Sequence, residues 1–144
     1  MATPVEKIFS RFLSQIEDES WLEIDDDILE ELMYDYLTKS IVEFNVCKKD
    51  LTLSLETNEI VSDLDENEIL ILAFGMVIHY LTPKILREEN LQQMVTSSDF
   101  SKLSNANMLD KLIKLRVQIR KDYQMYLHKY ELKRFEGFNW WWTI

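Results

Sequence analysis

The sequence predicts a mainly α fold, a small bundle of about five helices. Three observations point there. Apolar residues recur at helical spacing through most of the 144 residues. Helix-start signals stand directly before the apolar runs. Only two Gly and two Pro leave few places for the tight turns that a sandwich or barrel needs. The length suits one domain with a real core and is short for two. The predicted division is therefore a single domain over 1–136 followed by an aromatic tail over 137–144.

Thr3-Pro4-Val5-Glu6 opens the first helix, 4–17, with a threonine cap, proline at the first helical position and a glutamate completing a capping box. Ile8, Phe9, Phe12, Leu13 and Ile16 supply its apolar face. An acidic linker, 17–27, leads to a second helix over about 26–45, with Asp25 or Asp26 as its cap and carboxylates in the first turn, where the helix dipole favours them. Its apolar face is read as Ile28, Leu29, Leu32, Met33, Tyr36, Leu37, Ile41 and Phe44.

Residues 50–64 change period. Leu51, Leu53 and Leu55 alternate with polar residues, and Thr57-Asn58 can turn the chain back through Ile60 and Val61, which predicts a small hairpin or extended excursion. Asp65 with Glu68 makes a capping pair for a third helix, apolar on nearly every side and expected to be the most buried. Gly75 inside it costs about 1 kcal/mol relative to alanine, a cost that close helix packing explains. Pro83 is expected to kink or break the path, with helix resuming over 84–96. TSSDFSKLSNAN reads as the longest polar connection, with Ser104 capping a last helix over about 105–135. Leu109, Leu112, Ile113, Val117, Ile119, Tyr123, Tyr126, Leu127 and Tyr130 recur along it at helical intervals.

The net charge of −10 divides unevenly. Residues 1–83 carry five Lys and Arg against nineteen Asp and Glu; residues 84–144 carry eleven against seven. The chain is electrically two-ended. An acidic half repels a phosphate backbone, which argues against non-specific nucleic-acid binding by that half. A two-ended protomer can, however, pack its positive side against the negative side of a copy, the heterologous contact that generates rings. Two candidate faces follow. The acidic one is Glu23, Asp25, Asp26, Asp27, Glu30 and Glu31; the basic one, on the last helix, is Lys111, Lys114, Arg116, Arg120 and Lys121. Each can equally be a solvated surface, since isolated exposed pairs contribute little.

Chemistry-bearing patterns are sparse. Asp25-Asp26-Asp27 lacks the alternating ligands, the glycine and the distant bidentate acid of a calcium loop, so capping is the expected role. His79 and His128 have no Cys, Ser or second His at ligand or triad spacing and read as core or interface histidines. Cys47 is the single cysteine, which excludes an intramolecular disulfide and a zinc spacing. Two glycines make no phosphate loop. The expectation is a non-enzyme with no catalytic, metal or cofactor site. No run approaches the roughly 18 consecutive apolar residues of a membrane span, and MATPVEKIFSRF lacks the apolar run of a signal peptide, so a soluble protein made in a reducing interior is expected.

The tail FNWWWTI is the strongest candidate for partner binding. A buried aromatic removes about 150–250 Å² from water. Three adjacent tryptophans cannot easily face one surface, but a groove with walls on several sides accommodates them. Phe138, Trp140, Trp141, Trp142 and Ile144 are therefore read as an anchor in a neighbouring subunit or partner, in preference to folding back on their own domain.

The order of elements, with "LDENEILILAFGMVIHYLTPKIL" and "ENLQQMVTSSDFSKLSNANMLDKLIKLR" carrying the likeness over roughly 26–132, resembles the head-tail connector (neck adaptor) proteins of tailed bacteriophages. The resemblance implies a helical virion protein, synthesised in the host cytoplasm. It would form a ring, usually of twelve copies, bound beneath the portal protein and above downstream neck or tail proteins. DNA would pass through the channel without specific binding, and no membrane is involved. WWW is no general motif of that family, so a portal groove for it rests on the physics of the tail. A reading from another class is a small acidic regulator or DNA mimic occupying the basic groove of a nucleic-acid enzyme; it accounts for the charge but for neither the tail nor the charge division.

Overall fold

The computed structural model describes residues 2–16, 25–94 and 99–134. It is mainly helical, with four helices and one small sheet among the described residues: β1 (Thr3–Pro4), α1 (Val5–Leu13), α2 (Asp26–Glu43), β2 (Leu53–Ser54), β3 (Glu59–Ile60), α3 (Glu66–Met94) and α4 (Asp99–Arg134). The expected count of about five comes down to four because α3 continues through Pro83. Pro83 is exposed while Leu81 and Ile85 on either side of it are buried, so packing carries the helix across the residue that local geometry alone would have made a break.

The excursion near 50–64 is a hairpin. Leu53 pairs with Ile60 and Ser54 with Glu59, antiparallel, and Asn58 takes the left-handed conformation (φ 54°) that asparagine tolerates in a turn. β1 then adds to the other edge of β3, giving the order β1-β3-β2. This changes the role of Thr3. It caps no helix: its hydroxyl donates to the Ser62 carbonyl at 2.8 Å and accepts from the Leu64 amide at 2.8 Å. Pro4 occupies the cap position without a side-chain bond, and the Val5 amide at the helix start donates to the Asn58 carbonyl at 3.0 Å. The hairpin tip thus supplies the partner that a capping side chain would otherwise provide.

α3 is the centre of the molecule. Every residue from Ile71 to Ile78 is buried, and α1, α2 and α4 all pack on it. By length and hydropathy the stretch Glu66–Asn90 would suffice to cross a membrane; here 67% of its most apolar window is buried within the fold, the place of a core helix. α2 runs antiparallel to α3, with Tyr36 against Tyr80 and Ser40 against Gly75, and α4 runs antiparallel to α3, with Tyr126 against Phe74 and Tyr130 against Glu68. α2 and α4 therefore point the same way. Phe12 of α1 closes the core between Tyr36 and Tyr80 at ring separations of 6.0 Å.

Gly75 has the role its position suggested. A Cβ there would collide with Oγ of Ser40 and lie 3.0 Å from its Cβ. The buried Ser40 hydroxyl donates to the Leu72 carbonyl at 2.8 Å, so α2 and α3 touch through their two smallest side chains.

Three helix faces depart from expectation, the first at Leu13, placed on the apolar face of α1 and 40% exposed. Ile28, placed on the apolar face of α2, is 53% exposed, and Val117, placed on that of α4, is 47% exposed. α4 begins at Asp99, so Ser104 is an interior helical residue and most of the expected polar connection is helix. With 36 residues, α4 is about 54 Å long.

Candidate functional site

The sequence singled out two charged faces and a tail. The tail, 137–144, and Glu23 lie outside the described residues. Asp25, Asp26, Asp27, Glu30 and Glu31 are all exposed around the first turns of α2. Asp25 is the cap, its carboxylate accepting from the Asp27 amide at 3.4 Å. The five basic residues of α4 fall on two faces, because a helix turns about 100° per residue. Lys111, Lys114 and Lys121 are exposed on the side away from α3, whereas Arg116, half-buried, and Arg120, exposed one turn later, lie on another side.

A second constellation joins the three longest helices and was missed by sequence reasoning as a unit. Glu68 has a fully buried side chain. Its Oε1 accepts from Lys49 Nζ at 2.6 Å and from the Asp65 amide at 2.9 Å, while its Oε2 accepts from the Tyr130 hydroxyl at 2.9 Å. The Glu68 amide in turn donates to the Asp65 carboxylate at 2.8 Å, completing the expected capping box. Cys47 Sγ lies 3.6 Å from both Glu68 Oε2 and the Tyr130 hydroxyl, and that hydroxyl accepts from the Lys48 amide at 3.0 Å. Phe44 packs edge-on against Tyr130 at 5.1 Å. One carboxylate thus ties the start of α3, the loop after α2 and the last turns of α4. The available signal was Glu68 itself, a carboxylate on a helix apolar on nearly every side, which must find partners if buried.

The electrostatics follow from this packing. Burial pushes the Glu68 carboxyl up, but Lys49, the Asp65 amide and the Tyr130 hydroxyl together outweigh it and hold the group below its ordinary value of 4.5. The hydrogen bond from Lys49 raises that ammonium above 10.5. Burial pushes up both the Cys47 thiol and the Tyr130 phenol, so neither is a ready nucleophile or base at neutral pH. A carboxyl lowered in the folded state stabilises the fold above its unfolded pKa and loses that contribution as pH falls through the folded one. The wild-type chain is therefore expected to lose more stability than Glu68→Gln as pH drops below about 4.5. Denaturant midpoints measured for both between pH 7 and 3 check it; parallel curves would contradict it.

The two histidines differ. His128 is exposed on α4. His79 Nε2 lies 2.9 Å from Glu43 Oε1, within ion-pair range but off the line of a hydrogen bond. Tyr123 packs nearby with its hydroxyl buried and unpartnered among the described residues, and burial, then the Glu43 charge, push its phenol up to about 12. An open depression of about 630 Å³ beside α1, lined by Glu6, Lys7, Ser10, Arg11, Glu66 and Ile69 among others, is bridged by Arg11 and Glu66 at 2.7 Å. Among the described residues no three His, Cys, Asp or Glu side chains come together as metal ligands.

No family model matches the chain, and neither the curated proteins nor the solved structures contain a match to it.

Proposed function

We propose that the chain is a structural assembly protein that joins copies of itself into a ring, as a head-tail connector between a bacteriophage portal and the neck or tail proteins below it. The observation that carries this reading is the position of the divided charge. The acidic group Asp26, Asp27, Glu30 and Glu31 and the basic group Lys111, Lys114 and Lys121 both lie exposed, on different helices of one protomer. A protomer with two separate, opposite faces presents the complementarity that a heterologous, closing contact needs. The long α4 and the likeness of residues 26–132 to connector proteins support the same reading. In this account the acidic surface keeps passing DNA from adhering, since like charge repels the phosphate backbone. The tail residues Trp140, Trp141 and Trp142 anchor the ring to the portal or to a neighbouring copy.

The test is to mix the full-length protein with portal rings from tailed phages and image the product by electron microscopy, beside a chain truncated after Gly137. Full-length protein is expected to add a ring beneath the matching portal, and truncation to abolish it. Equal docking by both forms would remove the tail from the anchor role. Failure of both on an intact, matching portal, together with a 1:1 complex with a basic nucleic-acid enzyme, would replace the connector reading with the acidic regulator.

A further inference from the structure

The outer faces of α2 and α4 have the same spacing. On α2 the exposed stripe is Ile28, Glu31, Asp35, Thr38 and Val42; on α4 it is Lys111, Lys114, Gln118, Lys121 and Met125. Both step by three, four, three and four residues, the period at which two helices keep a contact seam. Among the described residues neither stripe is covered by another element: Ile28 is 53% exposed, Val42 73% and Met125 45%. The stripes also match in chemistry when aligned in the same direction. Glu31 then meets Lys114, Asp35 meets Gln118 and Val42 meets Met125, while Ile28 lies along the aliphatic stem of Lys111. Reversing one helix puts Ile28 on Met125, Glu31 on Lys121 and Val42 on Lys111, so the stripes alone pair about as well in either direction.

We infer that α2 of one copy docks in parallel along α4 of the next, with Ile28 over Lys111 and Val42 over Met125. This rests on the ring reading and specifies its contact. The fold sets the direction. α2 and α4 point the same way within a protomer, and in a ring of many copies the rotation from one to the next is small, so α2 of one copy meets α4 of its neighbour nearly parallel. A two-fold dimer about an axis across the helices would instead oppose them. The competing pairs within each helix, Asp35 with Lys39 at 3.0 Å and Asp110 with Lys114 at 2.9 Å, are exposed and contribute little, so they do not prevent re-pairing.

Disulfide trapping tests the register. Full-length Val42→Cys and Met125→Cys chains are mixed under mild oxidation, with Ile28→Cys and Met125→Cys as the reversed pairing and the wild-type chain, which keeps Cys47, as background. The bonded peptides are identified by mass spectrometry, and the oligomer mass of the wild-type chain is measured at the same concentration, alone and with portal rings. The 42–125 bond is expected in at least about tenfold excess over the 28–125 bond, because docking raises the effective concentration of apposed thiols. A chain carrying both Val42→Cys and Met125→Cys is expected to give a ladder of covalent multimers. A dominant 28–125 bond would overturn the parallel direction. Multimers without either bond would overturn this contact and leave the ring reading standing, whereas monomers alone under both conditions would overturn both. Lys114→Glu is expected to reduce trapping, and adding Glu31→Lys in the partner to restore it; loss without restoration would contradict the Glu31–Lys114 pairing.

Discussion

Replacing Glu68 by alanine is expected to lower the stability of the fold by about 3 kcal/mol, the scale observed when one partner of a buried charged pair is removed. The magnitude follows from what is left behind. The carboxylate is fully buried and takes hydrogen bonds from Lys49, the Asp65 amide and the Tyr130 hydroxyl, with a weaker one from the Cys47 thiol at 3.6 Å. Lys49 is partly exposed and can turn to water, which limits its share of the loss. The Asp65 amide and the Tyr130 hydroxyl are less free to do so, and α3 loses half of its capping box. The effect should also be local. Tyr130 sits near the end of α4, so hydrogen exchange over residues 125–134 is expected to accelerate before the rest of the core does. Tyr130→Phe keeps the ring on Phe44 and removes only the hydroxyl, and its cost should be smaller, about 1 kcal/mol. Equal denaturant midpoints for wild type and Glu68→Ala would remove the carboxylate from this role.

Gly75→Ala is the second large effect. In an open helix the change would stabilise by about 1 kcal/mol. Here the added methyl meets Ser40, whose Oγ it strikes and whose Cβ lies 3.0 Å away. Ser40 cannot rotate away without breaking its buried hydrogen bond to the Leu72 carbonyl, so α2 must lift from α3 along the contact that also holds Leu37 and Tyr36 in the core. Overpacking of this kind costs about 1–3 kcal/mol, and the strained hydrogen bond adds to it, so a net loss of about 2 kcal/mol is expected. Ser40→Gly in the same chain should recover part of that loss by vacating the space, although a second helical glycine has its own cost. Thermal midpoints of the two single variants and the double variant give the coupling directly. Additive losses would show that the two positions do not touch.

How far the sequence disclosed this structure depended on whether the controlling contact was near or far along the chain. Asp65 and Glu68 lie three residues apart, and their reciprocal capping was legible, as was the turn at Asn58 and the close packing at Gly75. Contacts between distant segments were not. Thr3 carries every local mark of a helix cap, yet its hydroxyl is taken by Ser62 and Leu64, about sixty residues away, because two residues of extended chain complete a sheet. Pro83 reads as a break until the burial of Leu81 and Ile85 is known. Ile28 and Val117 were assigned to core faces by periodicity, but each lies towards the solvent on its helix. That misreading is informative, since Ile28 proves to begin the exposed stripe of α2. Among the candidate site residues, the acidic group proved exposed as a unit and the basic group divided between two faces, a distinction that charge counting cannot make. The Glu68 constellation was visible only as separate residues, because Cys47, Lys49 and Tyr130 come to it from two other parts of the chain.

We propose that copies of this chain close into a ring on a portal. The mass added to an intact portal particle at saturating protein, measured by native mass spectrometry, tests it most directly. Ring closure is expected to add mass in one cooperative step, amounting to a complete ring of chains, with partial rings scarcely populated. Particles that gain no mass, or that gain chains singly and independently, would contradict it.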